Sequence, residues 1–218
     1  MRVSEIFGPT IQGEGPSAGR VAMFVRLMGC NLSCSWCDTP YTWDASRYNL
    51  AREGHTLSVG DVADEVASTP LVVISGGEPL LQHIEVTALV VVLLGRGQHV
   101  EIETNGTQPP LAMQHANLRY NVSPKLAHAG NPYEQRITSN LPLYAGHTFK
   151  FVVQSLADLD EIATIVPPGV DVWVMPEGTT VDALNSHSTP ELVAAAITRG
   201  WNITGRMQVQ IWGAERGR

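Results

Sequence analysis

Three cysteines stand in one octapeptide, Cys30-Asn31-Leu32-Ser33-Cys34-Ser35-Trp36-Cys37, spaced C-x3-C-x2-C, and the 218-residue chain has no others. Structural zinc takes four ligands, commonly in C-x2-C pairs. His55 is the nearest candidate fourth ligand, and no histidine stands at a paired spacing. A thiolate cage with three corners suits instead an iron–sulfur cluster that leaves one iron open to another ligand.

Other residues are placed where chemistry is plausible. Arg26 interrupts the apolar stretch 21–28, sharing a face with Phe24 and Met28 by the period of two. A guanidinium there is costly to bury unless an anion meets it, either an internal carboxylate or a ligand. Ile11-Gln12-Gly13-Glu14-Gly15 is either a plain flexible turn or a binding loop, in which the two glycines flanking Glu14 let backbone approach a flat ligand and Gln12 offers both donors and acceptors. Glu103 ends the short stretch 100–103, whose alternation suits a strand, and shares its face with Glu101; of the two, Glu103 stands nearer the chemistry and Glu101 is expected to be solvated or paired. Ser75-Gly76-Gly77-Glu78-Pro79 breaks a short apolar run, either as a plain strand-to-helix turn or as a binding turn. The histidines at 83, 99, 115, 128 and 187 show no pairing and read as caps or surface groups.

The elements that must position these residues alternate. Strands are expected at 21–28, 71–75, 100–103, 119–122, 148–154, 170–175 and 207–212. Helices are expected at 58–68, 80–94, 155–166 and 190–199, with Ser58/Asp61 and Ser155/Asp158 at capping-box spacing. Alternation of this kind means parallel βα units with the chemistry at the C-terminal strand edge. A closed eight-unit barrel needs about 250 residues, so the expectation is an α/β fold: a shortened, partly open parallel (βα)6-type barrel in a single domain over 1–218.

Composition narrows the class. With 44% hydrophobic and 16% charged residues and a net charge of −7, the chain reads as a globular protein without a basic field, so no direct nucleic-acid contact is expected. The apolar run 86–94 is too short to span a bilayer, and no signal-like stretch opens the sequence. Clustered thiols without such a stretch point to a reducing cytoplasm rather than a disulfide scaffold.

The cysteine loop after one strand and Gly76-Gly77-Glu78-Pro79 after the next together resemble the radical S-adenosylmethionine (SAM) enzymes. In that superfamily three cysteines hold a [4Fe–4S] cluster, SAM chelates the fourth iron, and reductive cleavage of SAM yields a hydrogen-abstracting 5′-deoxyadenosyl radical. The resemblance narrows at Ser4-Glu5-Ile6-Phe7, Ile11 to Pro16, Gly19-Arg20, Phe24 to Leu27, Gly29 to Leu32 and Ser35 to Thr39. It continues at Glu103 to Thr107, Ser123-Pro124-Lys125 and Met175 to Gly178. These stretches are similar to the 7-carboxy-7-deazaguanine synthase family, which converts 6-carboxy-5,6,7,8-tetrahydropterin to 7-carboxy-7-deazaguanine with loss of ammonia. The step feeds 7-deazapurines such as queuosine, and it uses SAM as a reusable cofactor and Mg2+.

That likeness implies roles. Cys30, Cys34 and Cys37 would hold the cluster and Thr39 the Mg2+, although a helix cap is the alternative for Thr39. Ile11, Gln12, Gly13, Glu14, Arg26, Ser75 and Glu103 would meet the pterin. Gln210 stands where some relatives carry histidine, which leaves it between substrate contact and plain strand residue. Trp36, Gly77, Glu78, Ser123, Pro124, Lys125, Met175, Pro176, Glu177 and Gly178 would meet SAM. A homodimer and a flavodoxin- or ferredoxin-like electron donor are implied as well.

Overall fold

The structure, a computed structural model, describes residues 1–213 and 215–218. Among the described residues the strands are β1 (Arg2–Ile11), β2 (Val21–Leu27), β3 (His55–Thr56), β4 (Leu71–Gly76), β5 (His99–Thr104), β6 (Leu118–Val122), β7 (Thr148–Val153), β8 (Asp171–Pro176) and β9 (Asn202–Ile203). They form one sheet in the order β3-β1-β2-β4-β5-β6-β7-β8-β9. From β2 to β9 every pairing is parallel, while β1 and β3 add an antiparallel edge. The end strands β3 and β9 are two residues long and do not pair with each other. The expected partly open barrel is therefore present, with an antiparallel N-terminal strand that the sequence reading did not place.

Side chains alternate across this sheet. One set, including Leu27, Val72, Ile74, Ile102, Val122, Phe149, Phe151 and Val174, packs in the main core against helical residues such as Val62, Leu89, Leu93, Leu159, Ile162 and Leu192. The other set faces into the barrel. Ala22, Phe24, Leu71 and Val73, with Phe7, form an apolar floor there, and the Phe7 and Phe24 rings stack 4.9 Å apart. Toward the C-terminal strand ends the inward positions turn polar: Arg26, Ser75, Glu103, Asn121 and Lys150. Register keeps them abreast, with Arg26 opposite Ser75 and Glu103 opposite Asn121.

The helices form where the capping pattern places them. The Ser58–Asp61 capping box is made in both directions ahead of Val59–Glu65, while ahead of Leu156–Ile165 the Asp158 carboxylate accepts from Ser155 N at 2.9 Å and the Ser155 hydroxyl makes no capping bond. The helix expected at 80–94 begins as a 3-10 turn, Pro79–Gln82, and continues as His83–Gly95. Among the described residues no helix is long and apolar enough to cross a membrane.

The expected strand at 207–212 is a helix, Met207–Trp212, and β9 is the last strand. Alternating Met, Val and Ile over six residues fits a single exposed helical turn and a half as well as a strand, and here only Val209 is buried. Its start is fixed by the Met207 N–H donating to the Gly13 carbonyl at 3.0 Å.

Phe151 is fully buried in the main core, whereas Ile197 is 65% exposed. Phe151→Ala is expected to lower unfolding free energy by about 3–5 kcal/mol. Ile197→Ala should stay within about 0.5 kcal/mol of the parent in the same urea titration.

Candidate functional site

The loop carrying the cysteines leaves β2 and folds over the turn that follows β4. Gly77 makes this possible: a Cβ there would lie 2.1 Å from the Gly29 carbonyl oxygen and 2.8 Å from Cys30 Cβ. The Glu78 N–H donates to Gly29 O at 2.8 Å. The Glu78 side chain points the other way and is fully buried, accepting from Leu80 N, Thr104 Oγ1 and Asn105 N at 2.7–2.9 Å. It pins the turn after β4 to the end of β5. Burial outweighs these donors and pushes its carboxyl up to about 6.

A second segment, 127–131, clamps the loop from outside. Ser35 N donates to Ala129 O at 3.0 Å, and Ser33 N donates to Asn131 Oδ1 at 2.8 Å. Trp36 Nε1 donates to His128 Nδ1 at 3.0 Å, while His128 Nε2 faces the Val152 carbonyl at 3.1 Å. His128 is thus a partly buried link between two loops, where the sequence read it as a cap or surface group.

All three cysteines are free and line one cavity with Trp36, Thr39 and Trp43. Burial pushes the Cys30 thiol up to about 12 and raises Cys34 as well, so these groups keep their protons until a metal displaces them. Among the described residues no three His, Cys, Asp or Glu side chains make a single-ion site. Three thiols on one cavity wall, with neighbouring N–H groups aimed at two of the sulfurs, fit the corners of a polynuclear cluster.

Thr39 heads the 3-10 turn Pro40–Thr42, yet its hydroxyl makes no capping bond. Its nearest partners are distant, Gly76 O at 3.5 Å and Cys37 Sγ at 3.7 Å. A weakly engaged hydroxyl lining the cavity fits a hard cation such as Mg2+ that keeps most of its waters.

Opposite the cysteines lies a wall of paired charges. Glu14, buried, is bonded to Lys150 Nζ, to Arg206 Nε at 2.9 Å and to Gln208 Nε2 at 2.6 Å. Burial alone would raise its carboxyl, but Lys150 and Arg206 outweigh it and hold the group well below the usual range. Lys150, 4% exposed, also stands 3.6 Å from Glu103 Oε1. Glu103 accepts from Ser75 Oγ at 2.9 Å and Gln12 Nε2 at 3.1 Å. Gln12 Nε2 also donates to Glu101 at 3.0 Å, and its carbonyl accepts from Glu14 N. The Gln12 amide is therefore engaged within the protein, and Gln12 also lines the cavity, as do Gly13 and Glu14. Glu101 is paired and buried rather than solvated, bonded to Ser17 Oγ at 2.6 Å, and burial raises its carboxyl.

Arg26 makes the internal ion pair that its place in an apolar strand called for. Its Nε donates to Glu5 at 2.7 Å, and its guanidinium lies over the Phe7 ring. Among the described residues its terminal nitrogens make no hydrogen bond, and Arg26 lines the cavity. Ile11, Gly13, Ser123, Lys125, Met175 and Glu177 line it too. Glu78, Pro124, Pro176, Gly178 and Gln210 do not. Gly178 instead offers its carbonyl to Arg206 Nη1 at 2.8 Å, and Gln210 is exposed on the C-terminal helix. The helix turns Gln208 inward in its place.

Reading the sequence missed Lys150, Arg206, Gln208, Asn121, Asp38 and Trp43, all on the cavity wall. Lys150 carried the same signal as Arg26, a cation within an apolar strand. Asn121 is 2% exposed with both amide atoms unpartnered, so it offers a donor and an acceptor beside the cavity.

Comparison with known proteins agrees with this geometry. The Radical SAM superfamily model matches residues 25–184. A 7-carboxy-7-deazaguanine synthase from Pyrobaculum aerophilum is 34% identical over 100% of this chain and 97% of its own length. Another, from Rhodopirellula baltica, is 35% identical over 99% and 88%. The crystal structure of QueE from Escherichia coli superposes with a TM-score of 0.71 at 28% identity, covering 94% of this chain and 92% of that one.

The raised Glu78 carboxyl gives a pH test. Its folded value, about 6, lies above the ordinary 4.5, so the ionised form opposes folding at neutral pH and the opposition fades as pH falls through 6 toward 4.5. Relative to Glu78→Gln, the parent should gain, between pH 7.5 and 4.5, most of the roughly 2 kcal/mol that the difference between about 6 and 4.5 is worth at about 1.36 kcal/mol per pKa unit. Chemical denaturation of both proteins across that range measures it.

Proposed function

The chain belongs to the radical SAM superfamily and, within it, to the 7-carboxy-7-deazaguanine synthase family, and from that premise we propose that it contracts the ring of 6-carboxy-5,6,7,8-tetrahydropterin to 7-carboxy-7-deazaguanine with release of ammonia. The observation that carries this reading is the facing of two walls across one cavity: a three-thiol cage, and a polar wall with a free guanidinium edge and a paired carboxylate. When bound, the cluster and SAM supply one-electron reduction and a hydrogen-abstracting radical; the protein's part is orientation and exclusion of water.

Each residue then has a task. Arg26, held at Nε by Glu5, presents its remaining edge to the substrate carboxylate. Glu103 accepts from the N–H edge of the pterin, aimed by Ser75 and Gln12 and balanced by Lys150. Thr39 gives Mg2+ an oxygen ligand beside that carboxylate. Gly77 and Trp36 border the SAM end, with Ser123, Lys125, Met175 and Glu177 along the nucleoside. The apolar floor at Phe7 and Phe24 closes the cavity below. Holding the reacting carbon against the radical is a proximity effect. Family likeness supports a homodimer, a flavodoxin- or ferredoxin-like electron donor and a place in the cytoplasm.

Anaerobically reconstituted protein with SAM, Mg2+, a reductant and the carboxytetrahydropterin should release 7-carboxy-7-deazaguanine. Formation of 5′-deoxyadenosine without any deazaguanine would sink the assignment. Thr39→Ala should abolish stimulation by Mg2+. Arg26→Ala should raise KM roughly 10–100-fold, the loss of a charge-assisted hydrogen bond of about 1.5–3 kcal/mol.

A further inference from the structure

Two side chains direct N–H groups at the cysteine sulfurs. Asn131 Nδ2 lies 3.3 Å from Cys34 Sγ, and Trp43 Nε1 lies 3.4 Å from Cys37 Sγ. We propose that Asn131 and Trp43 are positioning residues that set the reduction potential of the bound cluster by donating N–H···S hydrogen bonds to two of its three thiolates. The proposal rests on the cluster reading of the cysteines.

The donors cannot easily turn away. Asn131 is 6% exposed, and its Oδ1 accepts from Ser33 N at 2.8 Å, which fixes the amide so that Nδ2 faces sulfur. An indole nitrogen can only donate, and Trp43 Nε1 has no other partner among the described residues. Trp36, nearer the cysteines in sequence, takes no such part because its N–H goes to His128. Cys30 has a backbone donor, Leu32, and among the described residues no side-chain one. The cage is thus unsymmetrical, with side-chain donors at the second and third corners only.

A hydrogen bond to a cluster sulfur draws off negative charge and favours the electron-richer, reduced state, so each donor should raise the potential. The Lys125 ammonium adds positive charge near Cys34 in the same sense. Removing a donor makes the cluster harder to reduce without altering its ligands.

The test uses anaerobically reconstituted parent, Trp43→Phe, Asn131→Leu and the double variant, titrated for reduction potential by EPR without SAM. Each single variant should shift to a more negative potential, and the double variant by about the sum. In D2O, the reduced parent should show exchangeable-proton couplings by ENDOR, one of which disappears in Trp43→Phe. Iron and sulfide content should match the parent in Trp43→Phe; if Asn131→Leu takes up too little iron to titrate, Trp43→Phe and the ENDOR spectrum decide. Full clusters with unchanged potentials would overturn the proposal. A parent protein that takes up no cluster at all would instead overturn the reading beneath it.

Discussion

One buried carboxylate holds the open barrel together. The sheet's two ends do not pair, so nothing in the backbone ladder closes the barrel. Glu14, in the loop after β1, makes the closure with Lys150 from β7 and Arg206 from beyond β9. The same loop donates Gly15 N to Thr204 Oγ1 at 2.9 Å and accepts from Met207 N. Burying ions costs several kcal/mol each, and the arrangement holds because Glu14 is met by two cations and by the Gln208 amide, each bonded to it. Gly13 belongs to this closure as well, since a Cβ there would collide with the Gln208 side chain. The stretch that reads as a ligand loop in sequence is therefore first a clasp.

The clasp explains which parts of the site were legible. Cysteine spacing and the Gly-Gly turn are local, and their signals survive without knowledge of the fold. Arg26 was legible because a cation in an apolar strand demands an anion, and the same logic applied to Lys150 would have found it. Gln208 and Arg206 were illegible because they act only once the C-terminal segment is helical. A period-two reading of 207–212 turned attention to Gln210, two residues on and exposed. His128 and Asn131 lie some ninety residues from the loop they clamp, and no sequence period joins two loops that meet through the fold.

The parallel sheet accounts for the division of labour between faces. Residues one apart along each strand separate into a dry outer core and an inner face graded from apolar floor to polar mouth. That gradient places the cavity-lining charges Arg26, Glu103 and Lys150 on the mouth side of the apolar floor, where the cysteine loop folds over. The walls of the cavity thus come from every parallel strand from β2 to β8, while the cage comes from one loop.

Glu101 and Glu103 show how depth on that inner face assigns roles. They sit two residues apart on β5 and point the same way. Glu101, the deeper, is raised by burial and satisfied by Ser17 and Gln12. Glu103, nearer the mouth, keeps Ser75 and Lys150 and borders the cavity. Gln12 joins them, anchored on the deep carboxylate and donating to the shallow one. The deep acid is thereby scaffold for the amide, the amide aims the shallow acid, and the amide and the shallow acid both border the cavity.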